Sequence, residues 1–354
     1  MNENFDKDIE PSLRLPAEWE PVDAVLVAWP HEGTDWAYML DDARRCIGKI
    51  ISAISRFARV IVIGPEAPAS EYLAEPCVPE NIQYVEIDIN DTWTRDYGPI
   101  TCVDADGNTL LHDFKFNGWG LKFASNHDNL ATLRMFEKGV FAGRRANRLG
   151  FVLEGGSIES DGEGTLITTE DCLLSPNRNG ELDKEEVELY LKQTFGLNSV
   201  LWLSHGALEG DDTDGHIDTL ARLAPPGDVI FYVGCSDPDD VHYDCLEAMK
   251  RDLEALRRPN GCAYSLVELP LPDPIYDPED GHRLPATYAN FLIVNGAVLL
   301  PVYGQPMKDL MAVQLIEAVM PEYEVVPIDC RALIRQHGSL HCTTMQLPVN
   351  SLAR

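Results

Sequence analysis

"TYANFLIVNGAVLLPVY", residues 287–303, is an apolar run, a glycine-containing turn and a second apolar run. That order is the signature of a β-hairpin, and it recurs along the chain. "GPITCVDADGNTLLHDF" (98–114), "GSIESDGEGTLITTEDCLLS" (156–175) and "HIDTLARLAPPGDVIFYV" (216–233) have the same form. Long amphipathic stretches occur at 41–58, 127–142, 183–195, 240–257 and 307–319. In the first, Cys46, Ile47, Ile50, Ile51, Ile54 and Phe57 keep helical spacing. Each opens near Asp, Asn or Ser, which cap the free N–H groups of a first turn. Strand-like runs lie between: "AVLVAWP" (24–30), "VIVIG" (60–64), "YVEIDI" (84–89), "SVLWL" (199–203), "YSLVEL" (264–269) and "EVVPID" (324–329).

Four hairpins and five helices predict an α/β fold in which one ββαβ-type unit is used five times. The fifth hairpin is split between the chain ends, with "SLHCTTMQL" (339–347) pairing with "AVLVAWP". The repetition is of structure and not of sequence, and it predicts a single domain over 1–354 with no linkers. The polar start "MNENFDKDIE" is expected to be disordered. One segment, "ELPLPDPIYDPEDGHRLPATY" (268–288), is proline-rich and long, and reads as a lid, a binding wall or a surface excursion.

Composition narrows the function. The chain carries 28 basic against 58 acidic residues, a net charge of −30. Such a field repels phosphate backbones and attracts small cations. The 9 cysteines form no Cys-x-x-Cys pair, which argues against a disulfide framework and against structural zinc. No apolar run reaches a membrane span and no secretory signal opens the chain, so a cytoplasmic location is expected.

The residues that open the hairpins are not those a core selects: Asp96, Glu154, His216 with Asp218, and Cys342. In a ring of such units these positions converge on one axis. Three carboxylates buried together call for a cationic partner. Taken alone each residue has a plainer reading. Cys342 reads as a small hydrophobe, "GHID" as a polar strand end, and Trp93 and Trp119 as core aromatics. An Asp-His-Asp set with Glu also suits a hydrolytic metal. "GDDTDGHID" (210–218) resembles a calcium loop but has Gly210 and Ala221 where that loop needs Asp and Glu.

Taken together the segments are specific. "RLPAEWEPVDAVLVAWP" (14–30), "NDTWTRDYGP" (90–99), "FNGWG" (116–120), "LEGGS" (153–157), "GDDTDGHID" and "HCTTMQLP" (341–348) resemble, in order, the agmatine deiminase family of the guanidine-modifying enzymes. The resemblance covers residues 14–348 and implies a fivefold pseudosymmetric α/β propeller. It places the family's nucleophile on Cys342, the general acid/base on His216 and the supporting glutamate on Glu154. The two guanidinium-binding aspartates fall on Asp96 and Asp218. One departure is the glycine run that usually precedes the His-Cys pair, of which Gly338 alone remains in "QHGSLHC".

What the resemblance implies is hydrolysis of agmatine to N-carbamoylputrescine and ammonia, a step of polyamine and putrescine synthesis, without metal or cofactor. The chemistry needs these residue types. Guanidinium is a planar cation not deprotonated at neutral pH, and paired carboxylates hold its N–H fork. A thiolate then attacks the central carbon, and a histidine oriented by a glutamate moves the protons. Asp211 or Asp212 would receive the distal ammonium, and Trp93 and Trp119 would flank the methylene chain. Basic residues near the motifs are few: Arg95, Lys115 and Lys122. Arg95 is expected to turn away from Asp96 by strand alternation. Competing readings are a deiminase of another guanidine, such as a peptide's C-terminal arginine, and a catalytically silent guanidine or polyamine binder. An acyl-transferring Cys-His hydrolase would need an oxyanion hole instead. Partners are therefore a small cation, with no nucleic acid or membrane; self-association is left open.

Overall fold

The computed structural model describes residues 13–353; the start expected to be disordered lies outside them. The chain forms a mixed α/β fold of five small sheets, none closed into a barrel among the described residues. Four sheets share one pattern, an antiparallel hairpin followed by a parallel strand. They are Ile100–Val103, Thr109–Lys115 and Arg144–Val152; Ile158–Ser160, Thr165–Thr169 and Ser199–Leu203; Ala221–Ala224, Val229–Gly234 and Ser265–Pro270; and Leu292–Val294, Ala297–Val302 and Glu324–Asp329. The fifth joins the chain ends. Thr344–Pro348 runs antiparallel to Val22–Ala28, which pairs parallel with Arg59–Gly64, and Ile82–Glu86 adds a fourth strand.

Helices Leu40–Ser55, Ala131–Glu137, Lys184–Phe195, Tyr243–Ala255 and Pro306–Val319 make the crossovers to the parallel strands. Leu40–Ser55 buries Cys46, Ile47, Ile50, Ile51 and Ile54, the stripe that a 3.6-residue period lays on one face. The strand it covers, Arg59–Gly64, is buried from its second residue onward, as parallel strands covered on both faces are. The expected caps are mostly absent. Asp183 and Glu186 form a reciprocal capping box on Lys184–Phe195, whereas the other four crossover helices start without a side-chain cap. Packing of their apolar faces, not capping, holds those four in place.

The hairpin at 287–303 turns through Asn295 (φ +39°) and Gly296 (φ +84°). Positive φ at both turn positions matches the twist of the flanking strands. The Asn295 amide also bonds both the N–H and the C=O of Val22 at 3.0 Å, fixing this hairpin to the strand nearest the chain start. The proline-rich segment packs as a wall. Its Arg283 pairs with Asp240 at 2.9 Å, Arg335 reaches its Asp277 at 3.1 Å, and His282 stacks on His337. No described helix is long and apolar enough to cross a membrane.

Candidate active site

Short helical turns lead into the hairpins. Thr94–Tyr97 carries Asp96, Gly155–Ser157 follows Glu154, Ile217–Leu220 follows His216 and carries Asp218, and His341–Thr343 carries Cys342. Arg95 does point away from Asp96, but strand alternation is not the reason. The two lie on a helical turn, where successive side chains diverge by roughly 100°. The Arg95 guanidinium is buried, 2.5 Å from the Gln346 side chain and 3.5 Å from Glu18.

The five residues meet. Cys342 Sγ lies 3.8 Å from Asp218 Oδ2. His216 Nδ1 is 3.6 Å from Asp96 Oδ1, and its Nε2 is 3.4 Å from Glu154 Oε2. Glu154, His216 and Asp218 have no solvent exposure. Asp96 accepts from Trp119 Nε1 at 2.9 Å and from Gly156 N at 3.0 Å. Within these five residues two atoms are buried without a hydrogen-bond partner, His216 Nδ1 and Asp218 Oδ1. Buried polar atoms left open in this way are costly, and here both belong to the residues a guanidinium would meet.

Three further residues complete the site, and the sequence reading did not include them. Asn290, from the turn entering the fourth hairpin, donates to Cys342 Sγ from Nδ2 at 3.2 Å, while its Oδ1 accepts from the Cys342 N–H at 3.3 Å. Its place in "TYANF" matches those of Asp96 and Asp218, and that equivalence was the available signal. Arg178 Nε lies 2.7 and 3.0 Å from the Glu154 oxygens, and its other nitrogens reach Asp214 at 2.6 Å and the Thr213 carbonyl at 2.8 Å. It ties Glu154 to the loop that leads into His216; "SPNRNG" carries no motif that announces this. Gly156 lies against the centre of the site. A Cβ there would stand 2.6 Å from His216 Nδ1, 2.9 Å from Asp96 Oδ1 and 3.1 Å from Asp218 Oδ2.

The charges divide the groups. Burial, reinforced by Asp218 and Asp96, pushes the Cys342 thiol well above its ordinary value. Burial also raises Asp96, against the opposing charge of His216, to about 6. Asp218 moves the other way: burial opposes ionisation, but the hydrogen bond and charge of His341 hold it low. Glu154 is likewise lowered, against burial, by His216 and Arg178. For His216 burial disfavours the cation, but Asp96, Cys172 and Glu154 around it outweigh burial and push the imidazole well above its ordinary value. These directions favour a protonated thiol on Cys342 and an imidazolium on His216.

A narrow pocket leads to Cys342, with Asp96 on its wall. Trp93, Trp119 and Phe123 form aromatic sides, while Asp35, Asp91 and Asp212 are acidic, and no Lys or Arg lines it among the described residues. Gly338 packs so closely on Trp93 that a Cβ would stand 2.4 Å from the ring. The one glycine left from the usual run thus sets the position of that wall. Trp119 sits in an unusual backbone: Gly118, Trp119, Gly120 and Leu121 all have positive φ, a conformation costly for non-glycine residues. It turns the indole N–H onto Asp96. The pocket includes Asp212, but both Asp211 oxygens are used inside the loop, accepting from Thr213 and Gly215. Lys122 is bound to Asp214 and to the Asp212 carbonyl, each at 2.6 Å, and Lys115 is exposed.

Glu154, Cys172 and His216 bring possible metal-ligand atoms within 4.8 Å of one another. That set suits a cation poorly. The Arg178 guanidinium occupies both Glu154 oxygens, the imidazole is held protonated, and burial raises the Cys172 thiol, whereas metals bind neutral imidazole and thiolate.

Comparison with known proteins places this architecture. The family model for Porphyromonas-type peptidyl-arginine deiminases matches residues 14–348. An agmatine deiminase of Pseudomonas aeruginosa is 36% identical over 95% of this chain and 95% of its own length. Among solved structures, a Porphyromonas gingivalis protein provisionally named an arginine deiminase is 49% identical, with a TM-score of 0.90 over 96% of this chain and 100% of that one. A cysteine-to-serine variant of C. jejuni agmatine deiminase, solved with substrate bound, is 35% identical with a TM-score of 0.85 over 96% and 97%. A Pseudomonas aeruginosa DDAH, 13% identical with a TM-score of 0.50, shares the fold alone. The chain belongs to the Porphyromonas-type peptidyl-arginine deiminase family, together with the agmatine deiminases that it matches over nearly its whole length.

Proposed function

We propose that this chain hydrolyses agmatine to N-carbamoylputrescine and ammonia, through a covalent intermediate on Cys342. One observation carries the reading: a buried thiol 3.8 Å from a carboxylate, at the end of a pocket walled by aromatic and acidic side chains. The guanidinium lies between Asp96 and Asp218, and its N–H groups bond the open Asp218 oxygen. The arriving cation offsets the carboxylates that keep the thiol protonated, and the sulfur gives up its proton to bulk water. The thiolate adds to the guanidinium carbon, His216 gives its proton to the departing nitrogen, and ammonia leaves. An amidino-thioether remains. His216, now neutral, takes a proton from water as the water oxygen adds to the same carbon. The C–S bond breaks, returning the thiolate, and the hydroxyl proton passes to solvent as the neutral ureido product leaves. Glu154, itself held by Arg178, keeps the imidazole oriented and cationic.

The tail of the substrate decides between guanidines. Agmatine presents an ammonium where arginine presents a carboxylate beside the amine. Asp35, Asp91 and Asp212 favour the ammonium and repel the carboxylate, while Trp93 and Trp119 flank the methylenes. A second reading, action on a peptide's C-terminal arginine, is favoured by the name of the matched family, whereas the name of the 49% identical Porphyromonas protein points to arginine itself. Steady-state kinetics on agmatine, arginine and such a peptide separate the two. We expect kcat/KM for agmatine to lead by about 100-fold, or about 2.7 kcal/mol. An equal or higher value for either arginine substrate refutes the agmatine assignment, and absence of ammonia release from all three leaves a binder. We further read the five sheets as blades of a fivefold propeller forming one deiminase domain, acting in the cytoplasm without a cofactor.

A further inference from the structure

Asp218 is held from behind by a residue that the chemistry above does not use. His341 Nδ1 lies 2.7 Å from Asp218 Oδ2, and its Nε2 lies 2.6 Å from Glu18 Oε2. All three residues are buried. Carboxylate oxygens only accept, so both imidazole nitrogens donate. The His341 backbone is fixed as well, its N–H donating to the Asn290 carbonyl at 3.1 Å. Glu18 does not drift: its Oε1 accepts from the Ile293 N–H at 2.8 Å and lies 2.9 Å from Arg222 Nη2. Arg222 in turn lies 2.9 Å from Glu159. A buried row from Arg222 through Glu18 and His341 to Asp218 therefore ends 3.8 Å from the Cys342 sulfur.

The two oxygens of Asp218 have different fates. Oδ2 is tied to His341, and Oδ1 is buried without a partner. We propose that His341 and Glu18 are positioning residues, which tie off one oxygen of Asp218 so that the other faces the guanidinium. The proposal rests on the reading that Asp218 binds that group. A carboxylate free to rotate would offer its oxygens in several directions and would lose the in-plane bond to the substrate N–H. The histidine beside the nucleophile thus acts through Asp218 and touches no reacting atom.

Three substitutions of His341 test this with whichever guanidine the wild type turns over best. Asparagine places its amide nitrogen near the position of Nδ1 and keeps the bond to Asp218. Glutamine reaches the position of Nε2 and keeps the bond to Glu18. Phenylalanine fills the space and keeps neither. H341F is expected to lose about 100-fold or more in kcat/KM, the cost of misplacing a reacting group by roughly 1 Å. H341N is expected to recover at least about tenfold of that, in KM as well as kcat, while H341Q does not. A space-filling role would instead rank phenylalanine or glutamine with or above asparagine, and that ranking overturns the proposal. If H341F does not fold, the order of H341N and H341Q decides alone. Agmatine titration of the Cys342→Ala protein by calorimetry separates the two levels of argument. A wild type that neither turns over a guanidine nor binds agmatine in that background refutes both the deiminase reading and the positioning role. An active wild type with H341F within about threefold refutes the positioning role only.

Discussion

Gly156→Ala tests the geometry of the site with one methyl group. Gly156 has no positive φ, so alanine costs nothing in backbone strain and the effect is confined to what its Cβ meets. That atom would stand 2.6 Å from His216 Nδ1, with Asp96 Oδ1 at 2.9 Å and Asp218 Oδ2 at 3.1 Å. Reaching ordinary contact at 3.4 Å asks the imidazole to retreat by about 0.8 Å, and a misplacement of about 1 Å costs ~10²-fold in rate. The expected loss in kcat/KM is therefore about 100-fold, equivalent to about 2.7 kcal/mol. Stability should fall by no more than the ~1–3 kcal/mol typical of overpacking. Ammonia release measured beside thermal unfolding separates the two effects. Gly150→Ala is the control, because nothing stands within 4 Å of the Cβ it would add, and it should match wild type in both measurements. A Gly156→Ala enzyme within about threefold of wild type would show that His216, Asp96 and Asp218 do not act where this geometry puts them.

Trp119→Phe removes a hydrogen bond to the ionised Asp96, worth ~1.5–3 kcal/mol, so kcat/KM should fall by about 10- to 150-fold. Asp96 is held at about 6, so the wild-type kcat/KM should decline as pH falls through that value. Trp119 lowers Asp96, so in Trp119→Phe the decline should begin at higher pH. Asp96→Asn should lose roughly 30- to 5,000-fold in kcat/KM, the cost of breaking a buried charged contact. Its stability should move the opposite way. The folded pKa lies above the unfolded one, so the unfolded chain binds fewer protons between about 4 and 6, and Asp96 costs stability as pH rises through that window. Denaturant unfolding should find Asp96→Asn the more stable protein at pH 8 and not at pH 4, by at most about 3 kcal/mol. Arg178→Met strands Glu154 in a fully buried position, which should destabilise the fold by ~3–5 kcal/mol and slow turnover. An unchanged urea midpoint would contradict the role given to Arg178.

The hairpins and crossover helices were legible because their periods are local. The turn at Asn295 and Gly296 and the stripe from Cys46 to Ile54 need no knowledge of the rest of the chain. Asp96, Glu154, His216, Asp218 and Cys342 are a different case: alone each has a plainer reading, and it is the ordered set of segments around them that singles them out. What was missed depends on partners far away in sequence. Arg178 reaches Glu154 across 24 residues and His341 reaches Glu18 across 323. In sequence such residues look like a surface arginine and an ordinary neighbour of the nucleophile. Asp211 and Asp212 show the opposite case. They are adjacent in the chain, yet the loop's own hydrogen bonding takes one and leaves the other in the pocket, a distinction that composition does not carry. Arg95 was read as pointing away from Asp96 through strand alternation; the structure gives the same outcome through a helical turn too short to have a recognisable period.

The central claim is that Cys342 carries the amidino group during turnover. The direct measurement is peptide mass analysis of enzyme acid-quenched while turning over agmatine, alongside ammonia assays of Cys342→Ala. The account predicts a peptide containing Cys342 that is heavier by agmatine less ammonia. It also predicts no measurable turnover from a folded Cys342→Ala protein. Turnover by Cys342→Ala within about tenfold of wild type, with no adduct on that peptide, would contradict it.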